Sequence, residues 1–508
     1  CWTLSHCFTH FLLFINVSTF ARTRHHARQS GNYIGTIYVK TDCGICSVYI
    51  LLSIFAFVFL IHAMHTKGDL TQGGITGTLL RFTLPMIAGA MLQQCYNVAD
   101  TLIVGRFVGP EALAAVGSAY TLMVFITSIL LGLSMGSGTV VSLKFGAGDH
   151  DGMRKSIGAS LIVIGLATVG LTAACFLLND PILRLLQVPA DVYPLMSTYL
   201  LIIYCGIVFT FLYNFYASML RALGDSVTPL WFLAVSAVLN IVLDLVFILT
   251  FDWGVAGAAW ATVISQAVSG LGIMAYTLRL RPELRIRRAD IHIKRSILGE
   301  ITQFSMLTSV QQSVMNFGIL MVQGLVNSFG MHVMAAFAAA VKIDSFAYMP
   351  VQEFGNAFST FIAQNFGAGL HDRIRRGVKV AIGVSTAFSV VVSAAVFIFA
   401  EELMMMFVSG GEDEIITVGA EYLRIEGSFY TLIGLLFLLY GYYRAVRMPA
   451  MSVVLTVLSL GLRVALAYWL AAMPGIGVYG IWWAVPIGWF VADAVGIAYY
   501  ARTKVKKH

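Results

Sequence analysis

The sequence predicts an all-α polytopic membrane protein, with twelve transmembrane helices arranged as two six-helix lobes. Three observations lead to this fold class: the composition, the length of the apolar segments and an internal duplication. Of 508 residues, 58% are hydrophobic and only 11% are charged, whereas ordinary soluble domains are about 25% charged. Such a core would lack a polar surface to cover it, which excludes a soluble enzyme. The composition also excludes disordered, collagen-like and disulfide-framework proteins.

Twelve segments after Met64 are apolar over the roughly 20 residues that a membrane-spanning helix requires. Their apolar character is continuous rather than alternating, which argues against a porin-type barrel. We expect the spans near 78–103, 113–143, 156–178, 193–217, 228–250, 255–278, 301–327, 333–364, 378–400, 427–443, 449–471 and 478–500.

The distribution of Lys and Arg predicts the orientation in the membrane. Nearly all of them fall in the loops on the side of the mature N-terminus, and the opposite loops carry only Arg106, Arg184 and Arg424. Because cytoplasmic loops are enriched in Lys and Arg, we expect a multi-pass cell-membrane protein with both mature termini in the cytoplasm. The net charge of +7 is then explained by topology, and no nucleic-acid partner is expected.

Residues 1–63 differ from the rest of the chain, because the first methionine is Met64 and four of the seven cysteines precede it. We interpret 1–63 as a non-native or read-through leader before a start at Met64. A genuine leader, or a thirteenth helix at Val48 to Ala63, is the alternative. Cys43 and Cys46 form one CxxC pair without a second, so we predict no structural metal site.

An internal duplication divides the chain in two. FGAGDHDGMRKS at 145–156 returns as FGAGLHDRIRRG at 366–377, an offset of 221 residues, and GVAGAAWA at 254–261 returns as GVYGIWWA at 477–484. We predict an N-lobe at 64–278, a basic linker at 279–296 and a C-lobe at 297–508. Six spans per half relate the lobes by a pseudo-two-fold axis along the membrane normal. Such repeats are typical of transporters with a substrate cavity between the lobes.

Two aspartates lie inside predicted spans, where charges are costly and usually functional: Asp100 in the first and Asp244 in the fifth. Asn240 precedes Asp244 by four residues, as Tyr96 precedes Asp100, so each pair shares a helix face. With Thr262 in the sixth span they offer oxygen ligands suited to Na⁺, or an aspartate suited to a proton. Alternatively, the aspartates pair with polar neighbours and hold helices together. Pro85 should weaken or kink the first span.

The second half contributes candidates for the substrate cavity. Arg463 occupies the position that matches Asn240, and it pairs with Asp344 or Glu353 or lines the cavity; a structural ion pair is the interpretation we favour. The polar residues of the seventh span either contact substrate or bond across helices. The candidate substrate contacts are Gln311, Gln312, Asn316, Lys342, Asp344 and Arg463.

No catalytic or nucleotide-binding motif is present: the sequence contains no HExxH, GxxxxGK[ST], GxSxG or paired CxxC. We therefore predict a transporter that is not an enzyme, needs no cofactor and is driven by an H⁺ or Na⁺ gradient. Its partners are the lipid bilayer and a small-molecule substrate, and we expect a monomer.

The segments DLTQGGITGTLLRFTLPMI, YNVADTLIVGRFVGPEALAAVG, RALGDSVTP, LNIVLDLVFI, GVAGAAWATVIS and QNFGAG resemble the multidrug and toxic compound extrusion (MATE) family, and within it the DinF-like bacterial branch. The resemblance runs from about Asp69 to the C-terminus. It implies an antiporter that exports cationic or amphipathic compounds in exchange for H⁺ or Na⁺. It also implies a cation site at Asp100, Asn240, Asp244 and Thr262, with Pro85 and Tyr96 near a bending first helix.

One departure concerns the other main branch of that family, which also uses acids on its seventh and tenth spans. Here the seventh span offers Gln311 and Gln312, and 427–443 contains no carboxylate, which argues against a cation site in the C-lobe. A flippase for lipid-linked oligosaccharides is the alternative function, favoured by Lys342 and Arg463. A membrane-embedded lipid-modifying transferase is a third hypothesis, disfavoured by the missing catalytic cluster.

Overall fold

The computed structural model describes residues 68–186, 188–285, 294–407 and 413–503. Within these ranges the chain is helical and contains no β-strand. The predicted leader at 1–63, with its CxxC pair and apolar segment, lies outside the described residues.

Twelve long helices follow one another, and the tenth is broken into two parts. Two short helices, Asn179–Leu185 and Ala400–Met405, connect neighbours. The long helices are α1 Ile75–Phe107, α2 Pro110–Gly146, α3 His150–Leu177, α4 Tyr193–Ala222, α5 Val227–Leu249, α6 Gly254–Leu280, α7 Arg295–Asn327, α8 Met331–Gly367, α9 His371–Ile398, α10a Asp413–Gly427, α10b Tyr430–Ala445, α11 Pro449–Ala471 and α12 Val478–Arg502.

Within the described ranges, ten of these helices are by themselves long and apolar enough to cross a membrane. Taken together, α10a and α10b meet the same criterion as an eleventh candidate span, with a bend of 51° between them. The bend follows Gly427 and Ser428, a residue pair at which helices commonly kink. The remaining helix is α7. Its 33 residues are enough to span the bilayer, but its polar side chains lower its mean hydropathy.

The tenth span is where the sequence-based bounds are wrong. We expected it at 427–443, whereas the helix begins at Asp413. The reason is the charge of α10a, which contains Glu414, Glu421, Arg424 and Glu426 and therefore resembles a loop in a search for apolar segments. The bounds of the other eleven spans agree within seven residues, the largest difference being at the start of α9, and α11 has the predicted bounds 449–471.

The helices pack as two groups of six, which we call the N-lobe (α1–α6) and the C-lobe (α7–α12). In the N-lobe, α4 packs against α2 and α6, and α5 packs against α1 and α6. In the C-lobe, α8 packs against both parts of α10, and α11 packs against α7 and α12. The lobes meet mainly where α2 contacts α7 and α8.

The duplicated FGAG motifs meet face to face between the lobes. A Cβ at Gly146 would overlap the carbonyl oxygen of Gln364, and a Cβ at Gly367 would overlap that of Leu143. With the offset of 221 residues these are the same contact made twice in opposite directions, as a pseudo-two-fold axis between the motifs requires. Glycine is needed here because the helix backbones touch.

Other contacts tie the lobes together at the same end of the helices. The Gln364 side chain accepts a hydrogen bond from the Leu70 amide at 2.9 Å and donates one to the Ala222 carbonyl at 2.8 Å. Lys144 lies 3.5 Å from Glu300 in an ion pair between the lobes. We call this face, where α2 and α8 end and α3 and α9 begin, the basic side. The lobes are closed against each other there.

Candidate functional site

Helices α1, α5 and α6 bring the predicted cation-site residues together. Asp100 comes from α1, Asn240 and Asp244 from α5, and Thr262 from α6. All four are buried, and Asp244 has no exposed surface. The Asn240 amide donates to the Thr262 hydroxyl oxygen at 3.3 Å. We call these four residues the N-lobe oxygen cluster.

The two carboxyl groups of this cluster lie next to each other, close enough to share a hydrogen bond if one of them carried a proton. Four of the cluster's buried oxygens accept no hydrogen bond from any residue that the structure describes: Asp100 Oδ1, Asn240 Oδ1 and both carboxylate oxygens of Asp244. Buried polar atoms are normally satisfied, and two adjacent buried carboxylates repel each other.

A cation therefore suits this cluster better than the alternative interpretation, in which polar neighbours hold the aspartates. A bound cation or a shared proton would relieve the repulsion and satisfy the unpaired oxygens. All the atoms available are oxygens, which are the ligands that hard cations prefer. The geometry thus fits either Na⁺ or H⁺, and the ion-binding role of these residues remains a prediction.

Tyrosines surround the N-lobe oxygen cluster. Tyr96 lies beside both aspartates, as its spacing predicted, and Tyr199 of α4 approaches both of them as well. Tyr199 was not predicted, because an aromatic residue in an apolar span resembles an ordinary core residue.

Pro85 occupies a different part of α1. The helix continues through Pro85 without interruption, so the proline does not break the span. It precedes Asp100 by 15 residues, or about 22 Å at 1.5 Å per residue. Pro85 lies in the part of α1 nearer the basic side. It can therefore affect the cation site only through a change in the shape or position of α1. Pro85 leaves the carbonyl of Arg81 without its helical donor, a local weak point where α1 can bend.

The C-lobe contains a second buried cluster of charged residues: Asp344 of α8, Glu426 of α10a and Arg463 of α11. The Tyr430 hydroxyl donates to Asp344 Oδ1 at 2.6 Å, and Tyr422 bonds Glu426. Arg463 interacts electrostatically with both carboxylates. In the C-lobe a guanidinium thus occupies the position that the Asn240 amide occupies in the N-lobe.

This C-lobe charge cluster changes two of our sequence-based expectations. Arg463 interacts electrostatically with Asp344, but it forms no ion pair within 4 Å and its Nε has no hydrogen-bond partner among the described residues. Glu353 instead interacts with Arg221 and Arg444. The tenth span does contain a buried carboxylate, Glu426, immediately before the predicted start of that span at 427. Nothing in the sequence distinguished it from the other charged residues of α10a, which has five in all.

Replacing Tyr430 by Phe should destabilise the C-lobe, because it leaves the buried Asp344 oxygen without its donor. We expect a loss of about 1–3 kcal/mol in the free energy of unfolding, measured by denaturant titration of the purified protein. Tyr479→Phe is the matched control, since its hydroxyl makes a similar bond of 2.7 Å to Glu421 at an exposed position. An equal loss of unfolding free energy in the two variants would contradict the claim that burial makes the Tyr430 bond important.

Of the predicted polar residues of α7, Gln312 reaches another helix, whereas Asn316 bonds within α7. Gln311 and Gln312 are buried, and the Gln312 amide lies 3.6 Å from the sulfur of Met135 in α2. The Asn316 amide donates to the Gln312 carbonyl at 3.2 Å. Lys342 is exposed whereas Asp344 is buried, as expected for residues on different faces of a helix.

A small cavity of about 70 Å³ lies between the lobes near the basic side. Arg221 of the N-lobe and Glu353 and Arg444 of the C-lobe line it. Arg444 donates to the Ser359 hydroxyl and the Asn356 amide oxygen, both at 3.3 Å. Arg221 and Arg444 occupy equivalent places in the duplicated halves. The space between the lobes is therefore almost closed at this end.

One protein family matches the chain twice, once in each duplicated half. The family model described as MatE matches residues 85–246 and again residues 305–469. The chain belongs to the MatE family. Its two matched stretches, one in each lobe, confirm the internal repeat and the resemblance seen in the sequence motifs.

Several curated proteins are similar to this chain along most of their length. The chain is 33% identical over 415 residues to the probable multidrug resistance protein YpnP of Bacillus subtilis, covering 82% of this chain and 90% of the relative. It is 24% identical to the probable multidrug resistance protein NorM of Thermotoga maritima, covering 80% of this chain and 87% of that protein. An FAD transporter of Shewanella oneidensis is also 24% identical, over 84% and 94% of the two chains.

Solved structures show the same fold. One, described as the outward-facing conformation of a multidrug resistance MATE family transporter of the MOP superfamily, superimposes with a TM-score of 0.82 at 26% identity. The match covers 87% of this chain and 99% of that one. This MatE protein is accordingly a multi-pass membrane transporter of the multidrug efflux type, and it is not an enzyme.

Proposed function

We propose that the protein is a secondary antiporter of the cell membrane that exports cationic or amphipathic compounds in exchange for H⁺ or Na⁺. The observation that carries this proposal is the N-lobe oxygen cluster, where three oxygens of two adjacent buried carboxyl groups have no hydrogen-bond donor among the described residues. A site of this kind gains stability from a cation, and an ion gradient can drive its loading and unloading.

Loading the cluster changes the local charge and packing. Neutralisation of Asp100 and Asp244 removes the repulsion between α1 and α5 and lets the two helices pack more closely. Because α1 also contacts α8 of the other lobe, a shift of α1 at the weak point near Pro85 changes the space between the lobes. The loaded N-lobe then has lower affinity for a cationic substrate, which leaves on the opposite side of the membrane.

The membrane potential can drive export when a cycle moves net positive charge inward. One elementary charge that crosses 100 mV contributes ~2.3 kcal/mol, which corresponds to a concentration ratio of roughly 50-fold. One ion per uncharged amphipathic substrate would provide this, whereas exchange of one ion for one monovalent cation moves no net charge and depends on the concentration gradient of the ion.

Alternating access by rocking of the two lobes is supported by the closed contacts at the basic side. The reciprocal glycine contact and the bonds of Gln364 would separate when the transporter opens towards that side. We propose that the basic side is cytoplasmic, because Lys and Arg concentrate there. Both mature termini are then cytoplasmic, with the lobes at 64–278 and 297–508 and the substrate exchanged between them.

Candidate substrate contacts between the lobes are Lys342, Asp344 and Arg463, with Gln311, Gln312 and Asn316 of α7. Burial of most of this set implies that substrate reaches it only when the lobes separate.

The test is efflux of an ethidium-type cation from cells that express the full chain, with the pH gradient or the Na⁺ gradient dissipated in turn. Efflux that stops when one gradient is removed would support the antiporter and identify its ion. Efflux that persists without either gradient would overturn the proposal.

A further inference from the structure

A groove of about 750 Å³ opens on the basic side, between the chain that leads into α1 and the start of α9. One wall comes from residues 73–75 before and at the start of α1, and the other from residues 369–376 of the C-lobe. We propose that this groove binds a phosphate group, presented by the headgroup of an anionic phospholipid.

The charge of the groove favours an anion. Arg373, Arg375 and Arg376 line it, and Asp372 is the one acidic residue among its lining residues. Arg375 lies 3.6 Å from Asp372, whereas Arg373 and Arg376 form no ion pair with a carboxylate of the described residues, although Asp69 interacts electrostatically with Arg373. Arginine binds phosphate oxygens through paired N–H donors, and both Arg375 and Arg376 are exposed to an incoming ligand.

Arg373 lines the groove, and hydrogen bonds to the segment before α1 fix its position. Its guanidinium donates to the carbonyls of Gly73 and Gln72, both at 2.7 Å, and to that of Leu70 at 3.2 Å. These bonds join the C-lobe to the segment before α1. A ligand in the groove therefore touches both lobes at once and stabilises the arrangement in which the basic side is closed.

The turn before α3 is the N-lobe copy of the turn before α9. Its own acidic residues explain why only the C-lobe copy offers an anion site. There Asp149 accepts a hydrogen bond from the Gly152 amide at 2.8 Å and caps α3, and Asp151 pairs with Arg154 and Lys155. The N-lobe turn thus supplies its own anions.

In the C-lobe, Leu370 replaces the capping aspartate, and no side chain caps α9. The helix N-terminus and its arginines are left for an external anion, which both the helix dipole and the charges favour. The groove lies at the start of α9, the end at which we expect this span to meet the lipid headgroups. Anionic lipids collect at basic cytoplasmic surfaces, which favours a lipid over a free ion.

The test measures ligand-induced thermal stabilisation of the purified full chain, with native mass spectrometry to count bound molecules. Three probes are compared: short-chain phosphatidylglycerol, short-chain phosphatidylcholine and inorganic phosphate. The variants are Arg375→Gln and Arg376→Gln, singly and together. The matched control is Arg154→Gln with Lys155→Gln, which changes the equivalent positions of the N-lobe.

We expect phosphatidylglycerol to stabilise the protein at concentrations at least tenfold lower than phosphatidylcholine does. The double variant Arg375→Gln/Arg376→Gln should weaken this binding at least tenfold, and the control variant should not. Inorganic phosphate that gives the same arginine-dependent stabilisation would also support the site and assign its ligand to a free ion. Equal responses to the two lipids, an unchanged response of the double variant, or an equal loss in the control would each overturn the proposal.

Discussion

Replacing Asp244 by Asn should abolish ion-driven export while leaving the protein folded in the membrane. Asp244 is fully buried, and neither of its carboxylate oxygens has a donor among the described residues. The amide keeps the size of the side chain but removes the negative charge that attracts the ion. We therefore expect dye efflux by this variant to fall to the rate that the wild-type protein shows when both ion gradients are dissipated.

The control for this substitution is Asp493→Asn in α12. Asp493 is also buried with both carboxylate oxygens unpaired among the described residues, but it has no second carboxylate beside it. Export by this variant should stay near the wild-type rate. Loss of export in both variants would show that any buried carboxylate matters equally and would contradict a special role of the N-lobe oxygen cluster.

Enlarging the glycines where the FGAG motifs meet should open the basic side. In Gly146→Leu or Gly367→Leu, the new side chain overlaps the carbonyl oxygen of Gln364 or Leu143. Overpacking of this kind costs about 1–3 kcal/mol, and the cost falls on the closed arrangement alone. We expect its population relative to the open arrangement to fall about 5- to 150-fold, because each 1.4 kcal/mol is a factor of ten.

The measurement is the labelling rate of Thr360→Cys by a membrane-impermeant thiol reagent applied from the basic side, in a protein without its native cysteines. Thr360 lines the cavity between the lobes, so labelling reports whether this side is open. Both leucine variants should label faster and export more slowly. Gly383→Leu is the control, because no atom lies within 4 Å of a Cβ built there; faster labelling of that variant would contradict the account.

Periodicity and spacing were enough to predict most of the fold and the N-lobe oxygen cluster. Asn240 and Asp244 share a helix face, and a lone aspartate in an apolar span is conspicuous, so Asp100 and Asp244 could be identified before any contact was known. That their carboxyl groups meet is a tertiary fact, which depends on how α1 packs against α5.

The C-lobe charge cluster was predicted less well, for a physical reason. Glu426 belongs to a short, charged half-helix that packs against other helices. A search for apolar segments finds helices that face lipid, so it misses a charged helix that is buried within the protein. The FGAG repeat was visible as a sequence pattern, but its reciprocal contact depends on the pseudo-two-fold arrangement of the lobes. The bounds of the two lobes remain a prediction.

The measurement that tests antiport most directly records ion and substrate movement together in proteoliposomes that contain the full chain. An outward flow of an ethidium-type cation, driven by its own gradient, should cause H⁺ or Na⁺ to flow inward, and Asp244→Asn should abolish this ion flow. Substrate that crosses the membrane at the wild-type rate without movement of either ion would contradict the coupled mechanism.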